Sequence, residues 1–252
     1  MTGQKVDIDL LLVCGARPSL LKQTLDSFSE KVFGNFSIAN TFVNIDLFQG
    51  GPAEVSQTET IVRKFFPDAV IRMPTTPSFT RAVIWLWSSV RSPFCLHLED
   101  DWIADATITA DMIIPHFSRS VRQVSISTKE KNWPSSELYH CKWRRRRFLG
   151  IGMGRKMLRD EPVFTTSPSF LEAEFACNCA ALMNSELDPE KQLYDGRNSR
   201  LGAYVAGYRN RVIGSGPPFL IRDNGRAFRK SLGVEKKIVD GRSVWIELDK
   251  QA

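Results

Sequence analysis

Four short apolar runs, alternating with segments of helical periodicity, occupy the first hundred residues and restrict the fold more than any other feature. Ile8–Cys14 is stopped by Gly15, as expected for a strand buried on both faces of a parallel sheet. Pro18 and Ser19 then open a segment with apolar residues at Leu20, Leu21, Leu25 and Phe28, which predicts a helix with Ser19 as N-cap. A second strand is expected over Ala39–Leu47 and a helix over Ala53–Phe66, stopped by Pro67-Asp68. The third strand is Ala69–Met73, followed by a helix from Phe79 to Val90, and the fourth is Phe94–Leu98. Such alternation predicts βαβ units in an α/β domain with a mostly parallel sheet flanked by helices. Ligands of such sheets sit beyond the carboxyl ends of the strands, so Cys14–Arg17, Asp46 and Glu99–Asp101 are expected to meet in one crevice.

The second half is less regular. Val121–Thr128 and Arg209–Ile213 read as strands, Ser169–Met183 as a helix, and 189–207 as one or two more. Lys236–Leu248 reads as a hairpin about Asp240-Gly241. The stretch 129–160 has no firm assignment, and no repeat or linker divides the chain. MTGQKVDID lacks the basic-then-apolar pattern of an export signal, and no apolar stretch approaches the roughly 20 residues that span a bilayer. A soluble, cytoplasmic protein is the expectation, with a surface-bound one left open. The five cysteines form no C-x-x-C pair and read as reduced core thiols.

The run FCLHLEDDW places three consecutive acids where a buried strand ends. Adjacent carboxylates repel, and a cation usually offsets the cost. Alternate residues of an extended chain point the same way, so Glu99 and Asp101 can share one divalent ion while Asp100 faces elsewhere. Hard oxygen ligands favour Mg²⁺ or Mn²⁺ over zinc. A solvated acidic turn is the competing reading.

At these residues the chain resembles a family. The order VCGARPSLLKQTLDSF, FVNIDLF, SFTRAVIWLW and LHLEDDW is similar to the GT-A-fold glycosyltransferases, and within them to the large inverting family that uses nucleotide-diphosphate sugars. The resemblance covers residues 6–110, and more weakly 165–230. It implies that Glu99 and Asp101 match the outer acids of the DxD motif, with Glu in place of the first Asp. It further implies that Asp46 contacts the nucleoside, that Arg17 lines the nucleotide and that Arg81 approaches the donor, Asp100 being grouped with these donor-side residues. Mn²⁺ or Mg²⁺ would be the cofactor and a nucleotide-diphosphate sugar, a UDP-sugar first, the donor. One GT-A-like domain over 1–252 follows, with a nucleotide-sugar half (6–110), an acceptor half (111–235) and a C-terminal hairpin or tail (236–252).

The family's general base is an acid downstream of the DxD, near a helix N-terminus. In SELDPEKQL, Asp188 can cap a helix, Pro189 occupies its first turn and Glu190 points from that turn, so Glu190 is the favoured base and Asp188 its cap. Both can equally be helix-start acids favoured by the dipole, and Glu172 and Glu174 are held in reserve. In GPPFLIRDNGRAFRK, Arg222 and Arg226 are expected to close over a diphosphate with Asp223 as a further metal ligand, against an ordinary salt-bridged turn.

Of the net charge of +6, residues 142–159 hold eight basic residues and no acid, leaving a slightly acidic remainder. This stretch interleaves Trp143 and Phe148 with Arg144, Arg145, Arg146 and Arg147, a mixture that grips phosphates and stacks on bases or sugars. The glycines at 150–154 read as a flexible turn. Nucleic acid, an anionic glycan and a membrane surface all remain candidate partners. The transfer acceptor is accordingly a glycan or a hydroxymethylated base in DNA. A non-catalytic nucleic-acid-binding protein and a nucleotidyltransferase are the competing classes. His97, in the fourth strand, reads as a core residue, and His116 and His140 share no metal spacing.

Overall fold

A computed structural model of the protein describes residues 5–148 and 151–247, without the side chains of 146–148, 151–153, 243 and 247. Strand β1 (Asp7–Cys14) leads to helix α1 (Pro18–Lys31), β2 (Ser37–Ile45) to α2 (Pro52–Phe65), and β3 (Val70–Arg72) to α3 (Phe79–Ser88). β4 (Phe94–Glu99) is followed by β5 (Trp102–Ala104), α4 (Ala110–Ile113), β6 (Val121–Ile126), β7 (Cys141–Phe148) and β8 (Ile151–Pro162). Then come β9 (Ser169–Glu172), α5 (Ala173–Leu182), α6 (Pro189–Gln192), α7 (Ser199–Val205), β10 (Arg209–Ile213) and β11 (Ile221–Asp223). Helix α8 (Gly225–Ser231) and the strands β12 (Val234–Val239) and β13 (Arg242–Glu247) complete the order.

The central sheet has seven strands in the order β10-β6-β9-β4-β1-β2-β3. Strands β4, β1, β2 and β3 are parallel neighbours, as are β10 and β6, while β9 runs antiparallel between β4 and β6. Side chains alternate along β1. Leu10, Leu12 and Cys14 enter one apolar layer with Leu21, Leu25 and Phe28 of α1, whereas Leu11 and Val13 enter the other with Val83 and Trp87 of α3 and Phe175 of α5. Burial of each such side chain is worth ~1.5–3 kcal/mol. Asp9 is the polar exception inside β1, and its carboxylate accepts from the Arg91 and Ser92 amides, Ser92 Oγ and Asn40 Nδ2.

Two sequence expectations need correction. Pro18 takes the first helical position of α1 and Arg17 the cap, so Ser19 lies inside the helix and caps nothing. Ser169–Met183 is not one helix: Ser169–Glu172 is strand β9, bridging β4 to β6, and the helix begins only where Glu172 accepts from Phe175 N at 2.9 Å. The unassigned 129–160 stretch contains the antiparallel β7–β8 ribbon. The expected C-terminal hairpin is β12–β13, with Asp240 and Gly241 at φ 47° and 80°, as a two-residue turn of this kind requires; Leu248 lies outside the described residues. Among the described residues, no helix is long and apolar enough to cross a membrane.

Candidate active site

Because β4, β1 and β2 are parallel neighbours, their carboxyl ends lie along one edge of the sheet. Cys14, Gly15, Arg17, Asp46 and Glu99–Asp101 there line a single cavity of about 1120 Å³. The β1 and β2 exits are held together by Ala16 N donating to Phe48 O at 2.9 Å. The close approach needs Gly50, since a Cβ at this position would stand 2.2 Å from Ala16 O.

The three acids at the end of β4 divide their tasks. Asp100 is fully buried, and its Oδ2 accepts from Gly15 N at 2.9 Å and from Arg17 Nε at 3.2 Å, while Oδ1 takes Arg17 Nη2. Asp100 thus holds the β1 turn and Arg17 in place. Asp101 Oδ2 accepts from Arg17 Nη1 at 3.1 Å and from Arg229 Nη1 of α8 at 3.2 Å. Gly225 permits the start of α8 to sit against Asp101, since a Cβ there would meet Oδ2 at 2.0 Å. Glu99 is half-buried on the cavity wall and has no hydrogen-bond or ion-pair partner among the described residues. Burial first, and the Asp101 charge second, push its carboxyl up to about 8. The Asp101 carboxyl is raised to about 6, again chiefly by burial.

This donor set fits a hard divalent cation. Glu99 is an unpartnered carboxylate beside a second one, and Mg²⁺-type sites are commonly built from one or two carboxylates plus substrate phosphates. No cluster of three His, Cys, Asp or Glu stands ready for a metal among the described residues. Asp223, the expected third ligand, lines the cavity and, like Asp101, is engaged by arginine, its Oδ2 accepting from Arg226 Nε at 2.9 Å and pairing with Arg229 Nη2 at 3.5 Å.

The remaining residues fall around this centre. Asp46 is buried at the cavity wall, accepting from Asn44 Nδ2 at 2.9 Å and Ser78 N at 3.1 Å, and burial raises its carboxyl above the ordinary value. Arg81 lines the cavity and pairs with Glu186 at 3.3 Å. Arg226 lines it too, whereas Arg222 does not: it points away and pairs with Asp105. Asp188 caps α6, its Oδ1 accepting from Glu190 N at 3.1 Å and Lys191 N at 3.0 Å, and its Oδ2 pairs with Lys236 at 2.9 Å. Glu190 lies on the cavity wall with the Thr165 and Thr166 hydroxyls each 3.5 Å from Oε2 and Lys131 Nζ at 3.8 Å. Glu172 and Glu174 are not in the cavity lining; Glu172 pairs with Arg122 at 3.1 Å. His97 is a core residue accepting from Trp87 Nε1 at 3.1 Å, its pKa lowered by burial to about 4.

The cavity has a second rim that no local sequence pattern marks. Lys236, Arg242 and Trp245 of the β12–β13 hairpin line it, as does Arg229. Trp245 packs on Phe48 with ring centroids 5.0 Å apart, and Asp188 N donates to Gly241 O at 2.7 Å. Trp143, Arg144 and Arg145 are absent from the cavity lining and sit on the ribbon; the side chains of Arg146 and Arg147 lie outside the described residues, as does Gly150.

The fold is the GT-A glycosyltransferase fold. A mannosyltransferase from Pyrobaculum calidifontis, in complex with GDP-Man and Mn²⁺, superposes with a TM-score of 0.54 at 12% identity over 90% of this chain and 61% of that one. GalNAc-T7 with UDP, GalNAc and Mn²⁺ gives 0.52 at 11% identity over 81% and 41%, and S. aureus TarS 0.51 at 13% over 86% and 36%. The chain therefore spans less than two thirds of each of these proteins. No protein-family model and no curated protein matches it by sequence.

Proposed function

We propose that the protein is a divalent-cation-dependent glycosyltransferase that moves a sugar from a nucleotide-diphosphate sugar, of UDP type, to an acceptor hydroxyl with inversion. One observation carries the reading: on a GT-A fold, Asp46, Glu99, Asp101 and Glu190 line one cavity. Its volume, about 1120 Å³, exceeds the usual ~300–1,000 Å³ of single-ligand pockets. A donor and part of an acceptor can occupy it together. The mannosyltransferase and GalNAc-T7 complexes, both with Mn²⁺, support the donor and cation classes.

Within this reading residues 6–110 form the donor half. Asp46 accepts from the nucleoside. Glu99 and Asp101 would hold the Mn²⁺ or Mg²⁺, which supplies Lewis-acid stabilisation of the departing diphosphate. Arg226, Arg229 and Lys236 add fixed positive charge where that leaving group gains negative charge. Arg17, buried under the acids, orients them. Glu190 takes the acceptor hydroxyl proton as the new bond to the anomeric carbon forms and the bond to the diphosphate oxygen breaks, its electrons leaving with the diphosphate.

Thermal shifts of the protein with a panel of nucleoside diphosphates and their sugars, with and without Mn²⁺, test this. A cation-dependent rise with one nucleotide class is expected, together with donor hydrolysis or transfer that Asp101→Asn abolishes. Hydrolysis and transfer surviving in Asp101→Asn would overturn the reading.

A further inference from the structure

The β7–β8 ribbon pairs like charges directly across its strands. Arg145 stands opposite Arg155 and Arg144 opposite Lys156, an arrangement that costs stability unless an anion compensates. All four are exposed, and no acid occurs between residues 142 and 159. At the root, Glu161 pairs with Lys142 at 3.0 Å and reaches Arg144 only at 4.0 Å, while Glu137 pairs with Arg159 at 2.7 Å. Arg145, Arg155 and Lys156 have no acidic partner among the described residues.

The opposed pairs also lie on both faces of the ribbon. Side chains alternate along a strand, so Lys142, Arg144 and Lys156 share one face, and Trp143, Arg145 and Arg155 share the other. A planar anionic surface would satisfy one face and leave the second pair opposed. A groove with phosphates on both walls satisfies both. The major groove of duplex DNA, about 12 Å wide, admits a two-stranded ribbon.

From this geometry we infer that the β7–β8 ribbon is a duplex-nucleic-acid-binding arm that enters the major groove through non-specific phosphate contacts. The arm is rooted beside the candidate active site. Trp143 packs on Trp133 with ring centroids 5.9 Å apart, Lys131 lines the cavity, and β8 leads through Val163 and Phe164 to Thr166 and Ser167 on the cavity wall. That the bound duplex also supplies the acceptor hydroxyl rests on the glycosyltransferase reading. Binding itself does not.

Fluorescence anisotropy of a short labelled DNA duplex, titrated with NaCl, tests the arm. The expected result is binding that weakens steeply with salt, and a triple variant Arg145→Ala/Arg155→Ala/Lys156→Ala whose log–log salt slope is flatter by about 3 and whose affinity is more than about 10-fold lower. The milder pair Arg145→Gln/Arg155→Gln should flatten it by about 2, and an unfolding midpoint no lower than wild type in either variant supports assignment of the loss to lost contacts. Wild-type slope and affinity in both variants would overturn the inference. So would binding to heparin, or to phosphatidylserine–phosphatidylcholine vesicles, as tight as to the duplex. Nucleotide-sugar thermal shifts on the same samples report the donor site separately, so failure of the arm and failure of the transferase reading give different results.

Discussion

Asp100 grips Arg17 with both carboxylate oxygens and with the same group accepts from Gly15 N at 2.9 Å, so one buried acid fixes both the backbone and the side chain of the β1 turn. Truncating Asp100 leaves Arg17 with Asp101 as its remaining acidic partner and the Gly15 amide without its acceptor. Asp100→Ala is therefore expected to cost ~1–3 kcal/mol, and Arg17→Met/Asp100→Leu less than the sum of its single changes. Urea unfolding of the wild type and the four variants measures this.

The unpartnered Glu99 gives the proposed cation site a pH signature. A carboxyl whose pKa is raised to about 8 holds its proton near neutrality, and a cation must displace that proton. Stabilisation by Mn²⁺ with nucleoside diphosphate is thus expected to grow as pH rises from about 6 to above 8, and to vanish in Glu99→Gln. Thermal shifts across that pH range provide the check.

Glu190 and Asp188 separate kinetically. Glu190→Gln keeps the helix start but removes the proposed base, so turnover should fall by about 10²–10⁴-fold with the donor-induced thermal shift retained. Asp188→Ala instead removes a cap worth ~0.5–2 kcal/mol and the Lys236 pair, so its first effect is on the unfolding midpoint. Steady-state kinetics alongside unfolding curves tell the two apart.

His97 makes the core sensitive to acid. Its folded pKa, about 4, lies below the ordinary 6.5, so its contribution is fully present above pH 6.5 and is lost as pH falls from 6.5 toward 4. The loss should approach ~1.4 kcal/mol per pH unit across that window. His97→Gln keeps an acceptor for Trp87 Nε1 and should remove that part of the slope.

The parallel half of the sheet and the convergence of Arg17, Asp46 and Glu99–Asp101 were legible because both follow from local patterns, apolar runs and what ends them. Strand β9 was not. FLEAEFACNCAAL is apolar at spacings that suit a helix throughout, and only pairing with β4 and β6 extends its first residues. The ribbon escaped because the consecutive arginines of β7 put charge on both of its faces and leave no period-two apolar pattern to read. The Asp240-Gly241 turn announced the last hairpin, but its docking depends on Lys236 meeting Asp188 and Trp245 meeting Phe48, contacts that no local pattern encodes. Arg222 shows the converse: its place in a basic turn suggested the cavity, yet Asp105 draws it elsewhere.

The pairing of Asp101 with Arg229 joins residues 128 apart in sequence, and Trp245 closes on Phe48 over a still longer loop. Closing such loops costs chain entropy, whereas β1, α1 and β2 pair between near neighbours. The parallel core can therefore assemble while the cavity still lacks a wall. Catalytic competence would then be the last property this chain acquires as it folds, and the first it surrenders when the hairpin at residues 234–247 lets go.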